Sequence, residues 1–229
     1  MKIILPLLAL ILSTTNNTAV AKLTQKDITN IQTQVISQLT PLLLAMDMDK
    51  QYIEYLKNRP FIVDGIMPDA ITIGFMGRCQ YLIGGCLAEQ INISKNKGKW
   101  QISAYTVMGV QAGFTEMLKY EIYIAACYGS CIGVNAEGLF IGLDGMFAYG
   151  VGGGMFVDIG VDVSDMFVPP FVYTVSDLWK FRTVYAGWGL DIGQGNGFSL
   201  GAYYYLHNQT EKQKTDDEIK NDISNFIKY

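Results

Sequence analysis

The residues most able to do chemistry lie in one stretch, "GLFIGLDGMFAYGVGGGMFVDIGVDVSD", at 138–165. It holds a glycine cluster with Asp144, Asp158, Asp162 and Asp165. Glycines at that density are able to cradle a phosphate, but such a loop opens a helix. The residues after Gly154 alternate like a strand instead. The glycines therefore read as turn and strand residues. Asp144, Asp158 and Asp162 remain as ligand or cation candidates. Asp158 and Asp162 stand about 13 Å apart on a strand at ~3.3 Å per residue. With Asp144 opposite, the diagonals are still roughly 7–8 Å, wide for chelation by one ion. A row of carboxylates facing water is the simpler expectation. A hydrolase using these acids is the third-ranked function, and no cofactor is expected. Asp162, Ser164 and Asp165 alternate like the start of a calcium loop, but its glycine and closing glutamate are missing.

Four cysteines, Cys79, Cys86, Cys127 and Cys131, are the other reactive groups. An even number in an exported chain favours disulfides. The spacings leave the pairing open and are loose for zinc. His207 is the sole histidine, so a histidine-dependent triad or a multi-histidine metal site is not expected. It reads as a capping or interface side chain at a strand end. Tyr203 and Tyr205 share one strand face and Tyr204 takes the other. Asn92 and Asn208 each begin a glycosylation triplet.

The elements that must position these groups can be read from patterning. Residues 1–21 have a basic start, an apolar run of about ten residues and a small-residue cleavage pattern, the marks of a secretory signal peptide. That run is too short to span a bilayer as a helix. Residues 22–60 form an N-terminal helical segment. Thr24 and Asp27 make a capping box. Ile28, Ile31, Val35 and Leu39 form a stripe, Pro41 marks a break and restart, and Leu42, Met46, Ile53 and Leu56 continue the stripe.

From 61 to 208 the period becomes two. Eight strands are expected, at 71–78, 86–94, 99–115, 119–134, 137–149, 154–163, 181–193 and 197–207. "KNKG", "NAEG", "GVGGG" and "GQGNG" serve as hairpin loops. Residues 164–180, with Pro169, Pro170 and Trp179, form the one longer connection. In the 150–154 hairpin, Phe147 would face Val157, Leu143 would face Val161 and Asp144 would face Gly160. The whole is an antiparallel up-and-down meander, barrel-like and mainly β with flanking helices. Residues 209–229 form a C-terminal amphipathic helix, with a capping box at Thr215 and Glu218 and a stripe of Ile219, Ile223, Phe226 and Ile227. It is a candidate surface for a protein partner.

Composition decides between solvents. Net charge is −4, which argues against a nucleic-acid partner. Within 100–207 the only bases are Lys119, Lys180 and Arg182, against nine acids. Much of the non-apolar face is small. Such a face is odd for water and suits the interior of a small membrane barrel, whose large apolar residues meet lipid. Arg78 would then point inward and offset interior carboxylates. Trp100, Phe114, Tyr149, Phe198 and Tyr204 would sit near the interfaces. Three features oppose this reading. Cys127 and Cys131 would lie in the interior, the chain runs past its last strand, and the helices need an apolar surface. They could cover the small-residue face, giving a soluble layered protein. The leading expectation is an exported, non-enzymatic outer-membrane barrel with a structural or adhesive role. The alternative is a soluble periplasmic or secreted module binding a lipid-like or other apolar small molecule.

Overall fold

The computed structural model describes residues 22–58, 67–161 and 181–228, with backbone alone at 114–117, 181 and 182. The signal-peptide segment, Asp162, Asp165 and the 164–180 connection lie outside the described residues.

The described chain is mainly antiparallel β with three helices. Helix α1 (Gln25–Ala45) begins with the expected capping box, in which Thr24 and Asp27 satisfy each other's backbone N–H. Burial opposes ionisation of Asp27, but hydrogen bonds from Lys95 and Thr24 outweigh it and hold its carboxyl below the usual range. Pro41 lies within α1 and does not restart the helix. The break falls at 46–49, before α2 (Lys50–Asn58). Leu43 continues the buried stripe, whereas Leu42 is exposed.

Because the carboxylate of Asp27 is favoured in the fold, its contribution is present above the unfolded carboxyl range and lost as pH falls through the lower folded value. Wild type should therefore melt above Asp27→Asn at pH 6. That gap should close below about pH 4. Parallel thermal melts across this range check it.

Beyond α2 the chain forms four long strands, in place of the eight expected. They are β1 (Ala70–Asn96), β2 (Lys99–Gly129), β3 (Gly138–Val161) and β4 (Phe181–Lys214), paired in the order β1-β2-β4-β3. The sheet is thus not a simple meander, since β2 lies against β4. "KNKG" does make the tight β1–β2 turn, with Lys97 and Gly98 at positive φ. "NAEG" overlaps a short 3-10 turn (Gly133–Ala136) that leads to β3. "GVGGG" and "GQGNG" join no separate strands. They are bends inside β3 and β4, whose mutual pairing runs through Tyr149↔Gln194 and Gly150↔Gly193. The pairs expected across 150–154 are replaced. Phe147 faces Asn196, Leu143 faces Leu200 and Asp144 faces Ser199.

At these bends the whole sheet doubles over. β1 shifts register at Leu82 (φ 61°), and β3 bends at Gly150 (φ 82°). The β2–β4 pairing skips from Gly113↔Ser199 to Leu118↔Gln194. Each strand therefore has two arms that face each other. In β1, Thr72 donates to Asn92 Oδ1 at 2.8 Å. In β3, Asp158 packs against Gly142. In β4, Tyr185 and Tyr205 stack with centroids 5.2 Å apart. The expected strand breaks coincide with the bends because glycine-rich stretches permit either reversal or bending. Sequence alone does not choose between them.

Helix α3 (Asp216–Ile227) carries the predicted capping box, with Ile219 and Ile223 buried. Hydrogen bonds from Thr215 hold the exposed Glu218 carboxyl below its usual range. The helices cover the large apolar face of the sheet rather than its small-residue face. Ile28, Val35, Leu39, Ile53, Ile219 and Ile223 pack with Ile71, Ile73, Ile91, Ile93, Ile122 and Ile124.

Candidate functional site

The helices cover only part of that outer face. Along β2, Trp100 and Ile102 lie beneath them, whereas Met108 and Val110 on the same face are exposed. The uncovered end of the doubled sheet presents Tyr81, Leu82, Ile83, Leu87, Leu118 and Tyr120. It also presents Ile141, Leu143, Phe147, Tyr149, Met155, Phe198, Leu200, Tyr204 and Leu206. Many are well exposed, with Tyr149 at 78%, Ile83 at 76% and Leu118 at 70%. Isolated exposed apolar residues are ordinary, but a contiguous band of large ones is a site for lipid or a partner.

The inner face is the reverse. Arg78, Lys119, Glu121, Asp144, Asp158 and Asp191 are all at most 4% exposed. Alternation places them there, since each falls out of phase with the exposed apolar residues beside it. Arg78 pairs with Asp144, and with Glu121 at 3.1 Å. Lys119 pairs with Asp191 at 2.7 Å and Glu121 at 3.3 Å. Gln111 accepts from Arg78 and from Tyr203. Tyr203 also reaches Asp144 at 3.2 Å, and Tyr205 donates to Asp158 at 2.7 Å. Toward the helical end a second polar group continues the column. Tyr123 donates to Gln90, and Asn92 bonds to Thr72, Tyr185 and the Cys131 carbonyl.

Two of the three predicted carboxylates can be placed. Asp144 and Asp158 share the interior, but they do not form a row facing water, contrary to the simpler expectation. Doubling of the sheet encloses the face that carries them. Asp144 is held by Arg78 and Tyr203, and Asp158 by Tyr205. Among the described residues no group of three or more His, Cys, Asp or Glu side chains is placed to hold a metal ion. Arg78 points inward onto carboxylates, in line with its phase. Lys119, Glu121 and Asp191 belong to the same cluster, and sequence reasoning does not single them out as site residues. Their signal is present in the chain, as charged residues at alternate positions within apolar strands.

Among the cysteines, Cys127 and Cys131 form a disulfide, while Cys79 and Cys86 are free. Cys79 is exposed and Cys86 packs against the inner cluster, so alternation sends these two to opposite faces. The Cys127–Cys131 bond lies where β2 ends, beside the Asn92 amide. It fastens the interior rather than lining an open channel. His207 bonds Thr210 at 2.8 Å and lies against Tyr105, in keeping with an interface role. Asn92 is fully buried and hydrogen-bonded, which removes it as a glycosylation acceptor. Asn208 is exposed.

The fit inside is close enough to be tested by one methyl group. A Cβ on Gly142 would fall onto the Asp158 carboxylate and the Tyr203 ring. Gly142→Ala should therefore lower stability by about 1–3 kcal/mol, as overpacking does. A lower urea midpoint at unchanged slope is the measurement. Comparison of the chain with protein-family models, with curated proteins and with solved structures finds no match.

Proposed function

We propose that this chain is an exported, non-enzymatic protein of the cell envelope. Its doubled sheet forms a small barrel-like body embedded in an outer membrane, with a structural or adhesive role. The observation that carries this reading is the inversion of the two faces. Charged side chains are enclosed and paired, while large apolar side chains are bare. In water the arrangement is costly on both counts. In lipid it is the arrangement expected of a membrane β-barrel.

Dimensions agree. From Leu139 to Tyr149 the outward side chains are Leu139, Ile141, Leu143, Phe147 and Tyr149, with Gly145 between. That run is roughly 34 Å along a strand at ~3.4 Å per residue. At a tilt near ~40° it is about 26 Å tall, close to the ~25 Å apolar band of such barrels. Tyr81, Tyr120 and Tyr149, all exposed near the bends, stand where an aromatic girdle meets headgroups. No helix among the described residues is long and apolar enough to cross a membrane, so strands would do the crossing. The bare band does not extend beneath the helices, which leaves the helical end in water.

The inner face favours this reading over a soluble carrier of an apolar ligand. It is occupied by buried Tyr105, Phe140, Tyr185, Tyr203 and Tyr205 and by the ion pairs. A groove of about 230 Å³ runs between α3 and the sheet, lined partly by Ile91, Ile102 and Phe226. That is below the ~300–1,000 Å³ of small-molecule sites. The partners of Asp144 and Asp158 likewise favour a structural role over hydrolysis.

Cell fractionation tests the proposal. The mature chain should pellet with membranes, require detergent for extraction and migrate differently on gels before and after heating. Recovery of the whole mature chain in the soluble fraction would remove it.

A further inference from the structure

The exposed charges are unevenly placed. In 77–88, 107–113, 118–121, 138–161 and 183–206, every charged side chain is one of the six enclosed in the interior. Exposed charge begins at Glu89 and lies at the helical end. It includes Lys97 and Lys99 in the β1–β2 turn, and Glu211 and Lys212 near the end of β4. The helices add Lys26, Lys50, Glu54, Asp217, Glu218 and Lys220. At the bends the described exposed side chains are neutral. Tyr81, Leu82 and Ile83 form one corner, Phe147 and Tyr149 another, and Gln194, Asn196 and Phe198 a third.

Moving a charged side chain into the centre of a bilayer is unfavourable at every such residue. Carrying the helical end across would incur that cost many times. Among the described side chains, carrying the bend end across exposes only aromatic, aliphatic and amide groups to hydrocarbon, and the sequence of the β2 bend adds a single acid, Glu116, against the many charges of the helical end. The six interior charges travel inside the sheet with their partners. They are two cations, Arg78 and Lys119, among four carboxylates.

We infer that the β domain enters a lipid bilayer by its bend end, and that the helical end with both flanking helical segments stays on the side of entry. This rests on the membrane reading above and adds a fixed orientation to it. The surface engaged is the whole circumference at the bends. It includes residues on both outer faces, such as Leu118 and Met155 on one and Leu87 and Leu143 on the other. A bilayer covers such a circumference, whereas a second copy in a two-fold pair covers one side.

The test uses the full mature chain in a Cys79→Ser, Cys86→Ser background, which leaves only the disulfide pair. One variant adds Gln194→Cys at the bend, and another adds Tyr52→Cys on α2. Each is added from denaturant to preformed phosphatidylcholine vesicles, recovered by flotation, and treated with a membrane-impermeant maleimide from outside. Tyr52→Cys should label fully. Gln194→Cys should label about tenfold slower or less until detergent is added, because bilayer separates it from the reagent. Equal labelling at both sites in floating vesicles, or faster labelling at the bend, would overturn the orientation while leaving the membrane reading intact. Absence of flotation would remove the membrane reading itself. Protection of Gln194→Cys without vesicles would point to a second copy and overturn the inference. If Gln194→Cys fails to fold, judged by loss of heat-modifiable migration, Asn196→Cys supplies a second bend position.

Discussion

Arg78→Met should lower stability by about 3–5 kcal/mol, the largest loss expected from any single substitution in this protein. Arg78 is enclosed between Asp144 and Glu121, and it also donates to Gln111. Removing its guanidinium leaves buried carboxylates without their cationic partner. The penalty then comes mainly from those orphaned acids, not from loss of a favourable pair. A control separates the two causes. Arg78→Met combined with Asp144→Asn and Glu121→Gln should recover most of the loss, since amides carry no net charge to strand. Urea titration followed by heat-modifiable migration measures both variants. A loss below about 1 kcal/mol for the single variant would place Arg78 in contact with solvent, contrary to its 4% exposure.

Leu143→Arg should be nearly as severe, but only in lipid. Leu143 is 57% exposed and lies midway along the bare run of β3. Arginine facing the midplane of a bilayer costs about 2–4 kcal/mol, and near the interface about 0–1 kcal/mol. Leu143→Arg should therefore destabilise the vesicle-embedded protein by the larger amount. Tyr149→Arg, beside the bend, should cost little by comparison. In water an arginine at an exposed strand position is close to neutral. Equal and small effects at both positions would count against lipid around the band. The two residues share one strand and one face and stand at different distances from the bend.

Several features were legible in the sequence because they are local. The capping boxes at Thr24 and Thr215 need only three residues of reach, and both formed. The stripe of Ile28, Ile31, Val35 and Leu39 buries as its spacing requires. Alternation placed Tyr203 and Tyr205 inside with Tyr204 outside, and it sent Arg78 toward the carboxylates. Features that depend on distant partners were not legible in the same way. Gly150–Gly154 suits a hairpin by composition, yet β3 keeps its pairing with β4 through that stretch. The β4 strand also runs to Lys214, beyond its expected end at 207. Nothing near Asp144 in the chain specifies Arg78, 66 residues away, as its partner.

Local patterning along the chain settles where the backbone is extended, where the helices begin and which side chains share a face. Each of these depends on sterics and hydrogen bonds within a few residues. Long-range packing selects four bent strands over eight reversing ones and sets β2 against β4. It also decided that the helices take one end of the apolar face and leave the other bare. Those outcomes turn on which surfaces find each other across long separations, and a period of two along the chain is the same whatever lies opposite.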